Sequence, residues 1–170
     1  MIRSILVVDV GGTSVKCGMV VDRVPQAGER LFPSALLRNA DPVGSFARLV
    51  REFSAEAGLT PDLMVSTVPG FIDTDGDRVL FAGNVPELNG HYLASELGEL
   101  LGFPVIIERD SVLVLAGEVI AGAAKGSDSV LGLFFGTGVG GAFVQQFRFA
   151  AADNAPPQFK ARAISFVLAG

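Results

Sequence analysis

The chain has 170 residues, of which 13 are basic and 18 are acidic, and its formal net charge at pH 7 is -5. This acidic balance, without runs of lysine or arginine, excludes a general affinity for nucleic acid or for anionic membranes. Hydrophobic residues make up 49% of the chain, enough to fill a packed core, and the single cysteine, Cys17, excludes an internal disulfide. The sequence has neither a signal peptide nor a membrane-spanning run of about 20 apolar residues, which predicts a cytoplasmic protein.

The first elements are a strand, a glycine turn and a second strand. Residues 5–8 are wholly apolar, as expected of a strand covered on both faces, and they lead into the turn DVGGT at residues 9–13. Residues 15–21 alternate imperfectly between apolar and polar types, which predicts a strand that returns antiparallel to the first.

Helices and strands then alternate. Asp41 and Pro42 predict the start of a helix and Gly58 predicts its end. The segments that follow have the patterns of a strand, a helix and a strand, at residues 62–68, 93–101 and 105–107.

The last predicted elements begin with a helix. Ser111 is expected to cap it, and the helix is expected to run through residue 123. This helix is apolar on most sides, which predicts that it is buried. Residues 130–135 predict a strand that enters a second glycine turn at 136–141, and residues 142–144 continue as strand. The order of elements predicts an α/β domain with a mixed sheet, in which ligands bind at the ends of strands.

The two glycine turns allow several interpretations. A P-loop is excluded, because no segment has the spacing GxxxxGK[ST] before a helix. Gly136, Gly138 and Gly141 match the GxGxxG dinucleotide fingerprint formally, but the pattern after them predicts a strand where the fingerprint needs a helix. Two hypotheses remain: hairpins whose backbone N–H groups hold phosphate, and tight hairpins that bind no ligand.

Several motifs, taken together, resemble the ROK family of the actin-like ATPase superfamily. They are DVGGTSVK from residue 9, VPGFID from residue 68 with Asp75-Gly76, GNVPELN from residue 83, Arg109-Asp110, and FGTGVGG from residue 135. The resemblance covers roughly residues 1–144. It implies an α/β, ribonuclease H-like (actin-like ATPase) fold with a mixed sheet, comprising an N-terminal lobe and the first hairpin of a second lobe. The implied activity is phosphorylation of a hexose at its 6-hydroxyl, with ATP and Mg²⁺.

The resemblance also implies a role for each matched residue. Asp110 would be the catalytic base that takes the proton from the sugar hydroxyl. The sugar would contact Gly70, Asn84 and Arg109, and Asp9 would hold Mg²⁺ through water. The residues implied to bind ATP are Asp9, Gly11, Gly12, Thr13, Lys16, Gly136, Thr137 and Gly138.

Two features depart from the family pattern. Most family kinases have an asparagine where this chain has Arg109, and the form Glu108-Arg109-Asp110 resembles the allose-kinase-like branch. The family's cysteine-rich zinc motif is absent from the sequence, so we expect no zinc site.

The predicted domains are an N-terminal lobe at residues 1–124, the start of a second lobe at 125–144, and an atypical tail at 145–170. The tail resembles nothing in the family at this position, which predicts a truncated or frameshifted reading frame. Within it, the spacing of Ala161, Ile164, Val167 and Leu168 predicts a helix that packs on the first lobe. We expect a homo-oligomer that forms through this tail.

Family members are about twice this length, in two lobes that close on their substrates. Without most of the second lobe the cleft stays open to water, which predicts weak nucleotide binding and little or no phosphoryl transfer. Two further hypotheses are a non-catalytic ROK-like protein that self-associates, and a sensor that binds a sugar or a nucleotide.

Overall fold

The computed structural model describes residues 3–73, 75–135, 139–145 and 162–168. The chain forms two compact units, Met1–Arg109 and Asp110–Gly170. The domain boundaries placed at residues 124 and 144 from the sequence stay predictions. Within the described residues, no helix is long and apolar enough to cross a membrane.

The first unit holds most of the regular structure. Its elements are β1 (Ser4–Val10), β2 (Ser14–Val21), β3 (Val24–Pro25), β4 (Arg30–Pro33), α1 (Pro42–Ala57), β5 (Leu63–Val68), β6 (Gly70–Ile72), β7 (Val79–Ala82), α2 (Leu93–Leu101) and β8 (Val105–Arg109). Short 3-10 helices lie at Ser34–Leu37 and Pro86–Leu88. The main sheet has the order β3-β2-β1-β5-β8, with β4 also paired to β2, while β6 and β7 form a separate two-stranded sheet.

The main sheet is mixed. Strand β1 runs antiparallel to β2 and parallel to β5, and β5 runs parallel to β8. The predicted α/β architecture with a mixed sheet is therefore confirmed. Because β1, β5 and β8 are parallel, their carboxyl ends lie at the same edge of the sheet, where ligand-binding loops of α/β folds occur.

The core lies on one face of β1. Leu6 and Val8 have no exposed surface and belong to the same buried cluster as Phe46 and Val50 of α1. Successive strand side chains point to opposite faces, and Val7, which points away from this cluster, is 39% exposed. The prediction that β1 is covered on both faces is wrong in this chain.

Helix α1 follows the predicted capping pattern. The Asp41 side chain accepts a hydrogen bond of 3.0 Å from the backbone N–H of Gly44, and Pro42 occupies the first helical position. Gly58 ends the helix in the left-handed conformation, with φ of 63°, which glycine adopts without steric cost. The predicted bounds of α1 are therefore confirmed.

Cys17 lies in β2 and is 1% exposed. Burial raises the pKa of its thiol to about 12, because the thiolate loses the solvation of water. The thiol is therefore an inert part of the core at neutral pH.

The second unit contains α3 (Asp110–Ala121) and the strands β9 (Ser129–Phe135), β10 (Val139–Gln145) and β11 (Arg162–Leu168). Strand β9 lies between the other two, antiparallel to β10 and parallel to β11. Helix α3 begins at Asp110, one residue before the predicted cap. Only Leu115 and Val119 of α3 are buried, and Ile120 is 70% exposed, so the prediction of a buried helix is wrong.

The prediction of a helix in the tail is also wrong. Residues 162–168 form β11, whose backbone pairs along its whole length with β9. The segment is rich in β-branched and aromatic residues, which favour strands once a partner strand is available.

Candidate functional site

The first glycine turn connects β1 to β2. The backbone N–H of Gly11 donates a hydrogen bond of 2.9 Å to the carbonyl of Ser14, which closes the turn. The element that follows is a strand and not a helix, so this turn is a hairpin and not a P-loop. Among the described residues, none accepts a hydrogen bond from the backbone N–H of Thr13. No described residue therefore competes with an anion for that donor.

The carboxylate of Asp9 is held at the carboxyl end of β1. Its Oδ1 accepts a hydrogen bond of 2.7 Å from Thr67 Oγ1, and the same hydroxyl accepts one of 2.9 Å from the backbone N–H of Val10. Lys16 lies opposite Asp9 in the β1–β2 register, and its Nζ is 3.4 Å from Asp9 Oδ2. This ion pair is about half exposed and contributes little to stability. The hydroxyl of Thr67 orients the carboxylate.

The turn meets one of the predicted sugar-binding residues. A Cβ atom added at Gly12 would lie 3.1 Å from Cγ of Asn84, so the Asn84 amide packs directly on the glycine. Asn84 is exposed, and it lies in the loop between β7 and the 3-10 helix at Pro86–Leu88. A residue implied for phosphate and a residue implied for sugar are therefore neighbours in the first unit.

Two residues that the sequence interpretation did not identify support this contact. Ser34 Oγ donates a hydrogen bond of 2.7 Å to the carbonyl of Gly12, and the Ser34 N–H donates one of 3.0 Å to the carbonyl of Thr13. A terminal nitrogen of Arg38 donates to the carbonyls of Gly12 and Asn84, at 2.8 and 3.0 Å. Neither residue belongs to a glycine motif, and no spacing in the sequence indicates them.

Gly70 begins β6 and lies opposite Ala82 of β7. A Cβ atom at Gly70 would lie 1.8 Å from the carbonyl oxygen of Phe81, so no larger residue fits this backbone approach. The close approach of the Phe81 carbonyl is thus a structural reason for glycine at position 70. It is separate from the role in sugar binding that the resemblance implies. It also fixes the hairpin whose second strand ends two residues before Asn84.

The loop that joins β6 to β7 is organised by Asp73. Asp73 Oδ1 accepts hydrogen bonds of 2.9 Å from the N–H of Asp77 and 3.1 Å from the N–H of Arg78. The bond from Asp77 is the main cause that lowers the pKa of the Asp73 carboxyl below its ordinary value. Asp73 therefore stabilises the hairpin in its charged form.

Arg109 is the last residue of β8 and lies opposite Val68 of β5. Its Nε is 3.7 Å from Glu108 Oε1, and its backbone N–H donates to the same oxygen at 2.8 Å. From the sequence, the Arg109 side chain could turn toward Asp110. In the structure its guanidinium lies beside Glu108 instead. Asp110 follows as the exposed first residue of α3, and its Oδ1 accepts a hydrogen bond of 2.7 Å from the N–H of Ser111.

Residues 136–138 of the second glycine turn fall outside the described residues, whereas residues 139–141 begin β10, so the prediction that these three belong to the turn is wrong. Gly136, Thr137 and Gly138 follow β9, and β10 begins directly after them. Because β10 is a strand, the dinucleotide fingerprint, which requires a helix at this position, is excluded.

The donor set fits Mg²⁺ held through water, not a protein-built metal cage. Within the described residues, no group of three or more His, Cys, Asp or Glu side chains could hold a metal ion. Mg²⁺ usually keeps several waters and uses one or two carboxylates together with substrate phosphates. Asp9, a single oriented carboxylate beside the glycine turn, matches that pattern. His91 is engaged elsewhere, with Nδ1 2.9 Å from Glu96 Oε2.

Comparison with known proteins finds sugar kinases among those similar to this chain. An N-acetyl-D-glucosamine kinase from Vibrio parahaemolyticus is 31% identical over 146 residues, which cover 86% of this chain and 48% of that kinase. A glucokinase from Thermotoga maritima is 30% identical over 139 residues, or 81% of this chain and 43% of that enzyme. The chain therefore spans less than half the length of these relatives.

The fold is shared with solved structures. A ROK family glucokinase from Streptomyces griseus, crystallised with glucose and AMPPNP, has a TM-score of 0.67 and 26% identity, covering 84% of this chain and 44% of that chain. This likeness to ROK sugar kinases confirms the predicted actin-like ATPase fold. The model of the ROK family itself matches residues 5–154, which is most of the sequence. The chain belongs to the ROK family.

Proposed function

We propose that the protein phosphorylates a hexose at its 6-hydroxyl, with ATP as the phosphoryl donor. The observation that supports the proposal is the contact between Gly12, which the resemblance implies for phosphate binding, and Asn84, which it implies for sugar binding. Phosphoryl transfer depends mainly on alignment of the two substrates and on stabilisation of the developing charge. A site that binds both substrates at adjacent backbone segments meets the first requirement.

The first turn would bind the ATP phosphates. Gly11 and Gly12 carry no Cβ atoms, so an anion can approach the backbone, and the N–H and hydroxyl of Thr13 can donate to it. Lys16 would add a positive charge beside Asp9. Gly136, Thr137 and Gly138 would form the second phosphate loop.

Asp9 would hold Mg²⁺ through its water ligands. When bound, this ion neutralises the charge that develops on the phosphate oxygens. The chain's own contribution is the orientation of the Asp9 carboxylate by Thr67, at a fixed place beside the turn.

Asp110 would accept the proton of the attacking sugar hydroxyl. Its carboxylate lies at the start of α3, and the chain places it directly after Arg109, at the end of β8. Gly70, Asn84 and Arg109 would contact the other sugar hydroxyls. The names of the relatives, N-acetyl-D-glucosamine kinase and glucokinase, favour a hexose of this kind.

The test is ADP release from ATP and Mg²⁺ in the presence of a panel of hexoses that includes glucose and N-acetylglucosamine. We expect release that depends on one or more hexoses and falls about 100-fold or more in Asp110→Asn, because a positioned general base contributes at least that factor. Asp128→Asn, in the loop before β9, is the matched control and should keep the wild-type rate. Release without dependence on any hexose, or no release, contradicts the proposed activity.

A second candidate is the sensor hypothesis of the sequence analysis, in which the site binds a sugar or a nucleotide without phosphoryl transfer. Calorimetric titration with AMPPNP plus Mg²⁺ and with glucose distinguishes the two. Saturable binding with no turnover would favour a sensor. Light scattering of the same sample tests the proposal that the protein is a homo-oligomer.

A further inference from the structure

Arg38 joins the two halves of the candidate site. It follows the 3-10 helix at Ser34–Leu37, and one of its terminal nitrogens donates to both the Gly12 carbonyl and the Asn84 carbonyl. Gly12 and Asn84 are 72 positions apart in the sequence, and a single guanidinium nitrogen bridges them. The Asn84 side chain also packs on Gly12.

These bonds set the direction of phosphate donors. In a planar trans peptide the C=O of one residue and the N–H of the next point in opposite directions. Holding the Gly12 carbonyl therefore fixes the direction of the Thr13 N–H, which has no acceptor among the described residues. Ser34 supports the same carbonyl, at 2.7 Å, but does not reach Asn84.

The charge of Arg38 is not used elsewhere in the described part of the chain. Arg30 and Arg48 form ion pairs with carboxylates, whereas no described carboxylate lies within ion-pair distance of Arg38. An exposed guanidinium with no described carboxylate within ion-pair distance therefore lies beside the turn. It strengthens the turn's attraction for an anion.

We infer that Arg38 is a positioning residue that couples nucleotide binding to sugar binding. This inference rests on the proposed function and extends it. A phosphate that orders the first turn also orders the Gly12 carbonyl and, through Arg38, the backbone of Asn84. The sugar then meets an amide that is already in place, so each ligand raises the affinity of the other by the same factor.

The first test needs no ligand. Hydrogen exchange is measured for the peptides that cover residues 11–14 and 83–88 in wild type, Arg38→Met and Ser34→Ala. We expect faster exchange of both segments in Arg38→Met and of only the first segment in Ser34→Ala. Arg23→Met is the matched control, because Arg23 lies in the turn after β2, at the end of the β1–β2 pair that is remote from Asp9. Exchange of 83–88 in Arg38→Met equal to that in Arg23→Met would overturn the inference.

The second test measures coupling. Glucose affinity is determined with and without saturating AMPPNP and Mg²⁺, and we expect AMPPNP to raise it about fivefold or more in wild type. Arg38→Met should reduce this ratio to about one, whereas Ser34→Ala and Arg23→Met should retain it. Arg38→Lys should restore much of the ratio, because one ammonium nitrogen can donate to both carbonyls.

The two tests separate this inference from the proposed function. If wild type binds glucose and AMPPNP but Arg38→Met keeps the full ratio, the coupling is wrong and the kinase proposal stands. If wild type binds neither ligand, the proposed function and the coupling are both wrong. The exchange experiment then still shows whether Arg38 joins the two segments.

Discussion

Thr67 Oγ1 donates a hydrogen bond of 2.7 Å to Asp9 Oδ1, from one strand of the main sheet to its parallel neighbour. Thr67 Oγ1 also accepts a hydrogen bond from the backbone N–H of Val10, so two hydrogen bonds fix the Thr67 hydroxyl. The Asp9 carboxylate, which would otherwise sample several rotamers, is thereby held in one orientation at the carboxyl end of β1.

Thr67→Val removes the hydroxyl with little change of shape. We expect the free energy of unfolding to fall by about 1–3 kcal/mol, because a partly buried carboxylate and an N–H lose their partner. The affinity for AMPPNP plus Mg²⁺ should fall about tenfold. Chemical denaturation and calorimetry measure the two effects, and Thr67→Ser, which retains the hydroxyl, should resemble wild type. Equal affinities in Thr67→Val and wild type would show that Asp9 needs no orientation from β5.

Gly12→Ala tests the contact between the turn and Asn84. The added Cβ would lie 3.1 Å from Asn84 Cγ, so the amide must shift by a few tenths of an ångström. Small displacements of positioning groups have large effects on rate and binding, so we expect glucose affinity to fall several-fold. Stability should change by less than about 1 kcal/mol, because an exposed side chain can move. Gly18→Ala in β2, where a Cβ meets no atom within 4 Å, is the control. Unchanged glucose affinity in Gly12→Ala would show that the position of the Asn84 amide does not matter for sugar binding.

Gly70→Ala tests the close approach of β6 and β7. Its Cβ would overlap the backbone carbonyl of Phe81, which cannot rotate away. We expect a loss of about 3 kcal/mol or more in unfolding free energy, at the upper end of the range for overpacking. Gly117→Ala in α3, where the space is open, should instead stabilise by about 0.5–1 kcal/mol. A Gly70→Ala protein as stable as wild type would contradict the described hairpin.

Asp73 makes stability depend on pH. Its folded pKa lies below the ordinary value of 3.8, so its stabilising effect is present above that value and is lost as the pH falls through the folded pKa. We therefore expect Asp73→Asn to lower the melting temperature at pH 7. The difference from wild type should shrink steadily once the pH is below 3.8. A difference that stays constant down to the acid limit would show that the charge of Asp73 is irrelevant.

Local features of the fold were predictable because their signals lie within a few residues. Asp41, Pro42 and Gly58 specify the ends of α1 through backbone geometry that does not depend on the rest of the chain. The hairpin at residues 9–13 was likewise predictable, because an apolar strand pattern stands on each side of it.

Contacts across the sheet were not predictable from the residues alone. Thr67 and Asp9 are 58 positions apart, and Arg38 and Gly12 are 26 apart, so each contact depends on strand register and chain path. Arg109 lies between the carboxylates of Glu108 and Asp110, and sequence spacing cannot decide which of them its guanidinium contacts. The pairing of β11 with β9 overrides the helical spacing of residues 162–168 in the same way.

The most direct measurement is identification of the product. The full chain is incubated with ATP, Mg²⁺ and glucose or N-acetylglucosamine, and the sugar is analysed by mass spectrometry and ³¹P NMR. The proposal predicts a hexose 6-phosphate formed in equal amount to ADP by wild type, and none above background with Asp110→Asn. A phosphate on another hydroxyl, or the absence of phosphorylated sugar with wild type, would contradict it.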